Sequence, residues 1–163
     1  MKNSNAKLMA TGGVFAALAM VIMCLGGLIP VATFVCPVLC CLIVKLILRL
    51  CGKRIAWTWY AAVAILSLLL APDKDAAGIF LFLGYYPIVK PGLDTMRFGF
   101  VLKGLLFNAS IGAMYFLFLQ LFGMSQVAEE YRGMGIAMTA VMIILGNVTF
   151  FMLDRLLNLR FRR

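Results

Sequence analysis

Histidine is absent from the 163 residues, which removes the commonest general base and metal ligand. Acids are scarce: six Asp and Glu stand against fifteen Lys and Arg. Asp154 is the one acid expected within the inner half of a membrane span, and no histidine exists to partner it. That weakens any reading as an intramembrane enzyme acting on lipid. A phosphate-binding Gly-x-x-x-x-Gly-Lys-Ser/Thr loop is missing as well, since "CGKRI" lacks both the first glycine and the hydroxyl. The chain therefore cannot be its own P-loop ATPase. The five cysteines, Cys24, Cys36, Cys40, Cys41 and Cys51, show no Cys-x-x-Cys spacing. Their odd count argues against a disulfide framework, and small buried hydrophobes are the expected role. No metal and no cofactor are expected, and no enzymatic activity.

Charge itself is thin, at 13% of residues against 64% hydrophobic. A soluble domain carries about 25% charged and about 45–50% apolar residues. The imbalance points to an integral membrane protein. The apolar runs are continuous and no ten-residue alternating segments occur, so helices are expected and a barrel is not. Residues 8–44 hold no charge, which is too long for one span of about 20 residues. Gly26-Gly27, Pro30 and Pro37 punctuate that run. The expected architecture is one all-α domain over residues 1–163, with six transmembrane helices near 8–29, 33–51, 55–71, 76–89, 98–122 and 133–157. Trp57, Trp59 and Tyr60 open the third as an interfacial belt.

With a cytoplasmic N-terminus, six spans return the C-terminus to the same side. The cytoplasmic segments then hold Lys2, Lys7, Lys45, Arg49, Lys53, Arg54, Lys90, Arg97, Lys103, Arg155, Arg160, Arg162 and Arg163, leaving only Lys74 and Arg132 outside. This is a positive-inside distribution, and it accounts for the net charge of +9. Anionic lipid head groups are the expected partner of those bases; no soluble basic, aromatic-interleaved region exists to bind nucleic acid. The first apolar run spans about 22 residues, longer than the ~7–15 of a signal-peptide core, so it is read as a retained first helix.

The stretch "LAPDKDAAGIFLFLGYYPIVKPGLD", residues 70–94, is unlike the rest. Pro72 is expected to stop the third helix, and Asp73 or Asp75 to cap the fourth, where the partial positive charge of the helix terminus favours an acid. From Ala76 to Val89 is 14 residues, about 21 Å of helix at ~1.5 Å per residue, short of a ~30 Å bilayer core. Pro87 removes a backbone donor and restricts Tyr86. The fourth helix is therefore predicted to be short and interrupted at Tyr85-Tyr86-Pro87. Broken backbone at membrane depth belongs inside protein or beside a polar cavity; alternatively both tyrosines sit at the inner interface.

Small residues form two stripes on the first helix. One holds Ala6, Ala10, Gly13, Ala17, Cys24 and Gly27; the other holds Gly12, Ala16, Ala19 and Gly26. Together they make a flat face where another backbone can approach, as helix association in lipid requires. Gly104, Asn108, Gly112 and Tyr115 share a face of the fifth helix, and Gly133, Ala140, Asn147 and Asp154 follow sevenfold spacing on the sixth. Asn108 and Asn147 both fall near mid-membrane. Polar side chains there face a bundle interior, either bonding each other as interhelical glue or lining a small-molecule site. A substrate site would comprise Tyr85, Tyr86, Asn108, Tyr115 and Asn147. Asp73, Asp75, Glu129 and Glu130, against Lys74 and Arg132, would give it a mildly acidic mouth suited to neutral or cationic ligands.

The opening "KLMATGGVFAALAMVIMCLGG", six helices, cytoplasmic ends and the lack of an ATPase motif together resemble the substrate-binding S components of energy-coupling-factor (ECF) transporters. The resemblance implies vitamin-like micronutrient uptake at a bacterial cell membrane. Gly12/Ala16 and Gly13/Ala17 would match the small-x-x-x-small motif of the family's first helix. That motif docks a transmembrane coupling subunit, which works with two ATPase subunits. The link "GLIPVATF" is shorter than the gating loop many members carry, and the fourth helix is undersized. The competing class is a structural or regulatory membrane protein without a substrate.

Overall fold

The computed structural model describes residues 2–26, 32–121 and 136–158. Those residues are almost wholly helical and include no strand. They divide into two compact units, Met1–Met96 and Arg97–Arg163. Among the described residues, four helical stretches are long and apolar enough to cross a membrane: Ala6–Gly26, Thr33–Cys51, Lys53–Leu70 and Lys74–Leu93. Gly99–Met114 is a shorter apolar stretch.

The first unit comprises α1 (Lys2–Gly26), α2 (Ala32–Cys51), α3 (Lys53–Leu70), α4 (Lys74–Leu83) and α5 (Tyr86–Leu93). Helix α2 is the hub, touching α1, α3, α4 and α5. Its buried residues Cys36, Cys40, Val44 and Ile47 recur at steps of four, four and three, one face of a 3.6-residue period. Ala19 and Met23 of α1, Ala56, Val63 and Ala64 of α3, and Ala77 and Phe80 of α4 close around it. Pro37 lies inside α2 and is fully buried. Three of the five thiols, Cys36, Cys40 and Cys41, are buried as expected, whereas Cys24 is exposed.

Gly52 alone joins α2 to α3. Its φ of +87° is left-handed, a conformation open to glycine and strained for other residues. There its amide donates to the Leu48 carbonyl (3.2 Å) while its own carbonyl accepts from Ala56 (3.0 Å). One residue thus ends one helix and starts the next. At the far end of α3, Ala71 turns to extended backbone (φ −67°, ψ 135°), as the residue before a proline must. Asp73 then caps α4: its Oδ1 accepts from the Asp75 and Ala76 amides, each at 3.0 Å. Its Oδ2 accepts the Thr33 hydroxyl at 2.7 Å, tying the cap to the start of α2.

Two expectations change here. The fourth span is interrupted as expected, but at Gly84-Tyr85, with Tyr86 and Pro87 already helical; helix resumes through Leu93, so that Lys74–Leu93 provides 20 residues rather than 14. Pro87 falls in the first turn of α5, where no donor is needed, and the chain carries on past Pro91. Trp59 is also no belt residue. It is only 6% exposed and packs in the core, while Trp57 is 39% exposed.

The second unit holds α6 (Gly99–Leu121) and α7 (Ile136–Asn158), each of 23 residues. Later residues of α6 meet earlier residues of α7, so the two run antiparallel. Phe107 stacks on Phe150 (centroids 4.6 Å apart) and Phe100 on Phe151 (4.5 Å). Residues 27–31, 122–135 and 159–163 lie outside the described residues. With them go the predicted end of the first helix, the external turn with Glu129, Glu130 and Arg132, Gly133, and the terminal arginines Arg160, Arg162 and Arg163.

Candidate functional site

The interruption in the fourth span is built by the side chains around it. A helix end leaves carbonyls without amide partners. At the end of α4 the Phe80 carbonyl accepts the Gly84 amide at 2.7 Å. The Leu81 carbonyl accepts the Tyr60 hydroxyl from α3, and the Leu83 carbonyl accepts the Cys41 thiol from α2 at 3.9 Å. Backbone at Gly84 and Tyr85 stays in the right-handed helical region (φ −64° and −75°). The break is thus a shift in hydrogen bonding with little change of direction. Gly84 is required by crowding: a Cβ there would lie 2.5 Å from the Phe80 carbonyl oxygen and 2.9 Å from the Tyr60 ring.

Of the predicted substrate residues, Tyr85 is half-buried and sets its ring edge-on to Tyr60, centroids 6.4 Å apart. Tyr86 is buried, with the Lys90 ammonium 5.9 Å from its ring centroid, within reach of a cation–π attraction. Both tyrosines are therefore packed within the first unit. The sequence reading gave Tyr60 to the interfacial belt and gave Gly84 no role at this site. The step from Ala56 through Tyr60 and Ala64 is helical and places Tyr60 beside the buried stripe of α3.

In the second unit Asn108 and Asn147 face each other. Asn108 Nδ2 donates to Asn147 Oδ1 (3.0 Å), and Asn147 Nδ2 returns a bond to Asn108 Oδ1 (3.2 Å). Each amide also donates one turn back along its own helix, to Gly104 (2.8 Å) and Ile143 (2.9 Å). Both N–H groups of both carboxamides are thus engaged, and each oxygen retains a further lone pair. Nearby, Lys103 and Asp154 form an ion pair at 3.4 Å, with both side chains largely buried. The side chain of Tyr115 lies outside the described residues.

The two stripes of α1 part company. Gly12, Ala19 and Gly26 are buried and Ala16 half-buried, all turned toward the unit. The Trp59 indole donates to the Gly12 carbonyl at 2.9 Å; a Cβ on Gly12 would sit at ordinary contact distance, 3.9 Å, from the Trp59 ring. Ala6, Ala10, Gly13, Ala17 and Cys24 are all exposed, and nothing would lie within 4 Å of a Cβ on Gly13. Of the four predicted docking residues, Gly12 and Ala16 face inward, and Gly13 and Ala17 outward.

The end of the first unit remote from Asp73 carries charge. Lys45 on α2 and Lys90 on α5 are 9% and 5% exposed. Both lie within electrostatic reach of each other, and Arg49 lies one turn beyond Lys45. Lys90 pairs with Asp94 at 3.5 Å. Lysine is rarely buried this deeply. The sequence places these bases on the inner side, but does not reveal that two of them turn inward. Comparison with protein-family models, with curated proteins and with solved structures finds no match to this chain.

Proposed function

We propose that this chain is the substrate-capturing membrane subunit of a bacterial micronutrient-uptake transporter of the ECF kind. In this reading six helices span the cell membrane with both ends cytoplasmic. A separate coupling subunit and two ATPase subunits supply the energy. The observation that carries the reading is the outward stripe of α1, where Ala6, Ala10, Gly13, Ala17 and Cys24 stay exposed while the adjacent stripe is used inside the unit. Helix packing in lipid relies on such small-residue faces, because no hydrophobic driving force operates there. In this reading a chain without a nucleotide-binding loop draws ATP-derived energy from its partners.

A structural or regulatory role is favoured by one observation of its own. The Asn108 and Asn147 donors are all directed to each other and to their own helices, as glue requires. The two readings separate on purification from native membranes. In the transport reading the wild-type chain carries ATPase subunits with it. Gly13→Leu and Ala17→Leu lose those subunits at unchanged thermal stability, because a bulky residue holds the partner backbone away and dispersion contacts fall steeply with distance. Retention of the partner by both variants, or a wild-type chain that brings no ATPase, sinks the transport reading.

A further inference from the structure

Helices α2 and α3 meet at Gly52 with no loop between them. The stretches Thr33–Cys51 and Lys53–Leu70, of 19 and 18 residues, are each long and apolar enough to cross a membrane. At ~1.5 Å per residue they reach about 28 and about 27 Å, close to a ~30 Å hydrocarbon core. Each helix is taken up by the crossing, so the corner between them is held at the level of the lipid head groups. Arg49, Gly52, Lys53 and Arg54 are all exposed there. Among the described residues no ion pair takes up the side chain of Arg49, Lys53 or Arg54. The acids of the first unit are Asp73, Asp75 and Asp94. The first two follow the far end of α3, and Asp94 pairs with Lys90. Leu50 and Trp57, 50% and 39% exposed, set apolar surface beside the charges, and tryptophan favours the membrane interface.

We infer that the α2–α3 corner is a docking surface for anionic phospholipid, with Arg49, Lys53 and Arg54 on the head groups and Leu50 and Trp57 against the upper acyl chains. Exposed bases alone would suit an acidic protein equally. The one-residue connection decides for lipid: it leaves no loop to lift the bases into water, and both helices that flank it are suited to hydrocarbon. The Gly52 amide donates to the Leu48 carbonyl (3.2 Å) and the Ala56 amide to the Gly52 carbonyl (3.0 Å). These bonds fix the backbone that carries the bases, so the surface is organised before lipid arrives. Basic segments in general are drawn to an anionic leaflet. Here three bases within six residues stand on one rigid corner, and the preference for anionic lipid is concentrated at that place. The inference is independent of the transport reading.

The full chain carrying Trp59→Phe tests it, since Trp57 is then its one tryptophan. The protein is reconstituted in phosphatidylcholine vesicles, and Trp57 fluorescence is followed as phosphatidylglycerol or phosphatidylcholine, each brominated at a shallow acyl position, is titrated in. Phosphatidylglycerol should be preferred as quencher by about tenfold or more, because each base beside an anionic head group contributes about fivefold. Adding Arg49→Gln, Lys53→Gln or Arg54→Gln to this background should lower the preference by about fivefold each; all three positions are exposed, so folding is kept. Lys74→Gln, beyond the far end of α3, should leave it unchanged. Salt at about 1 M should remove most of it, as the screening length shrinks to about 3 Å. Equal quenching by the two lipids overturns the inference, as does a preference that survives all three substitutions together. In a second arm soluble polyglutamate is added to plain phosphatidylcholine vesicles. A Trp57 response to polyglutamate that the three substitutions abolish, without any preference between lipids, assigns the corner to an acidic protein and overturns the inference as well.

Discussion

Gly84 and Trp59 illustrate how single positions hold the first unit together. At Gly84 one added methyl would meet the Phe80 carbonyl at 2.5 Å and two aromatic rings inside 3 Å. The nearest obstacle is backbone, which cannot rotate away. Gly84→Ala should therefore lower stability by about 1–3 kcal/mol, the usual cost of overpacking, and thermal unfolding in detergent measures it. A midpoint equal to wild type would mean that the Tyr60 and Phe80 rings are not seated as described. At Trp59 the indole N–H reaches the Gly12 carbonyl across the α1–α3 contact. Trp59→Phe keeps an aromatic ring and loses that donor, so a loss of about 1 kcal/mol is expected. Trp57→Phe, on an exposed ring, should cost little, and the difference between the two variants reports the bond itself.

Helices meet here through polar groups set in apolar surfaces. The α6–α7 pair places the reciprocal Asn108–Asn147 bonds and the Lys103–Asp154 ion pair alongside two stacked phenylalanine pairs. If the asparagines act as glue, Asn108→Leu and Asn147→Leu should each destabilise. The double variant should then lose less than the sum, with a coupling energy of about 0.6 kcal/mol and at most about 1.7. If they bind substrate, either substitution weakens ligand affinity at unchanged stability. A thermal double-mutant cycle run beside ligand binding separates the two. Against this, the first turn of α3 goes against the helix dipole. Lys53 and Arg54 occupy its first turn, where the helix dipole disfavours cations. A dipole term of about 1 kcal/mol or less is small beside the positive-inside preference that the expected topology would satisfy.

Across the whole molecule, thirteen of the fifteen bases fall on one side of the expected topology. Cysteine-free variants carrying Lys74→Cys or Arg160→Cys should label from opposite faces of intact cells with a membrane-impermeant maleimide. Labelling from the same face removes the six-span arrangement. The 20 residues of Lys74–Leu93, interrupted at Gly84-Tyr85, reach about 30 Å at ~1.5 Å per residue. The fourth segment matches a bilayer core of that thickness by taking in its charged flanks, Lys74, Asp75 and Lys90.

Composition and local chemistry by themselves determined the helical class, most helix limits, the Pro72 stop, a cap from Asp73 or Asp75 and an interruption of the fourth span close to Tyr85. Each rests on a property of neighbouring residues: a missing donor, a carboxylate beside free amides, or a run too apolar for water. Which faces turn inward was left to the tertiary structure. On α1 two small stripes lie side by side, and hydropathy is nearly the same around the helix, so no sequence signal chooses between them. Contact with Trp59 chose Gly12 and left Gly13 outside. The same holds for Lys45 and Lys90, which as bases near helix ends look like head-group contacts until the packing of α5 on α2 buries them. In a chain this apolar, the hydrophobic pattern marks what enters the membrane. Shape, close approach and the few polar groups decide what meets what.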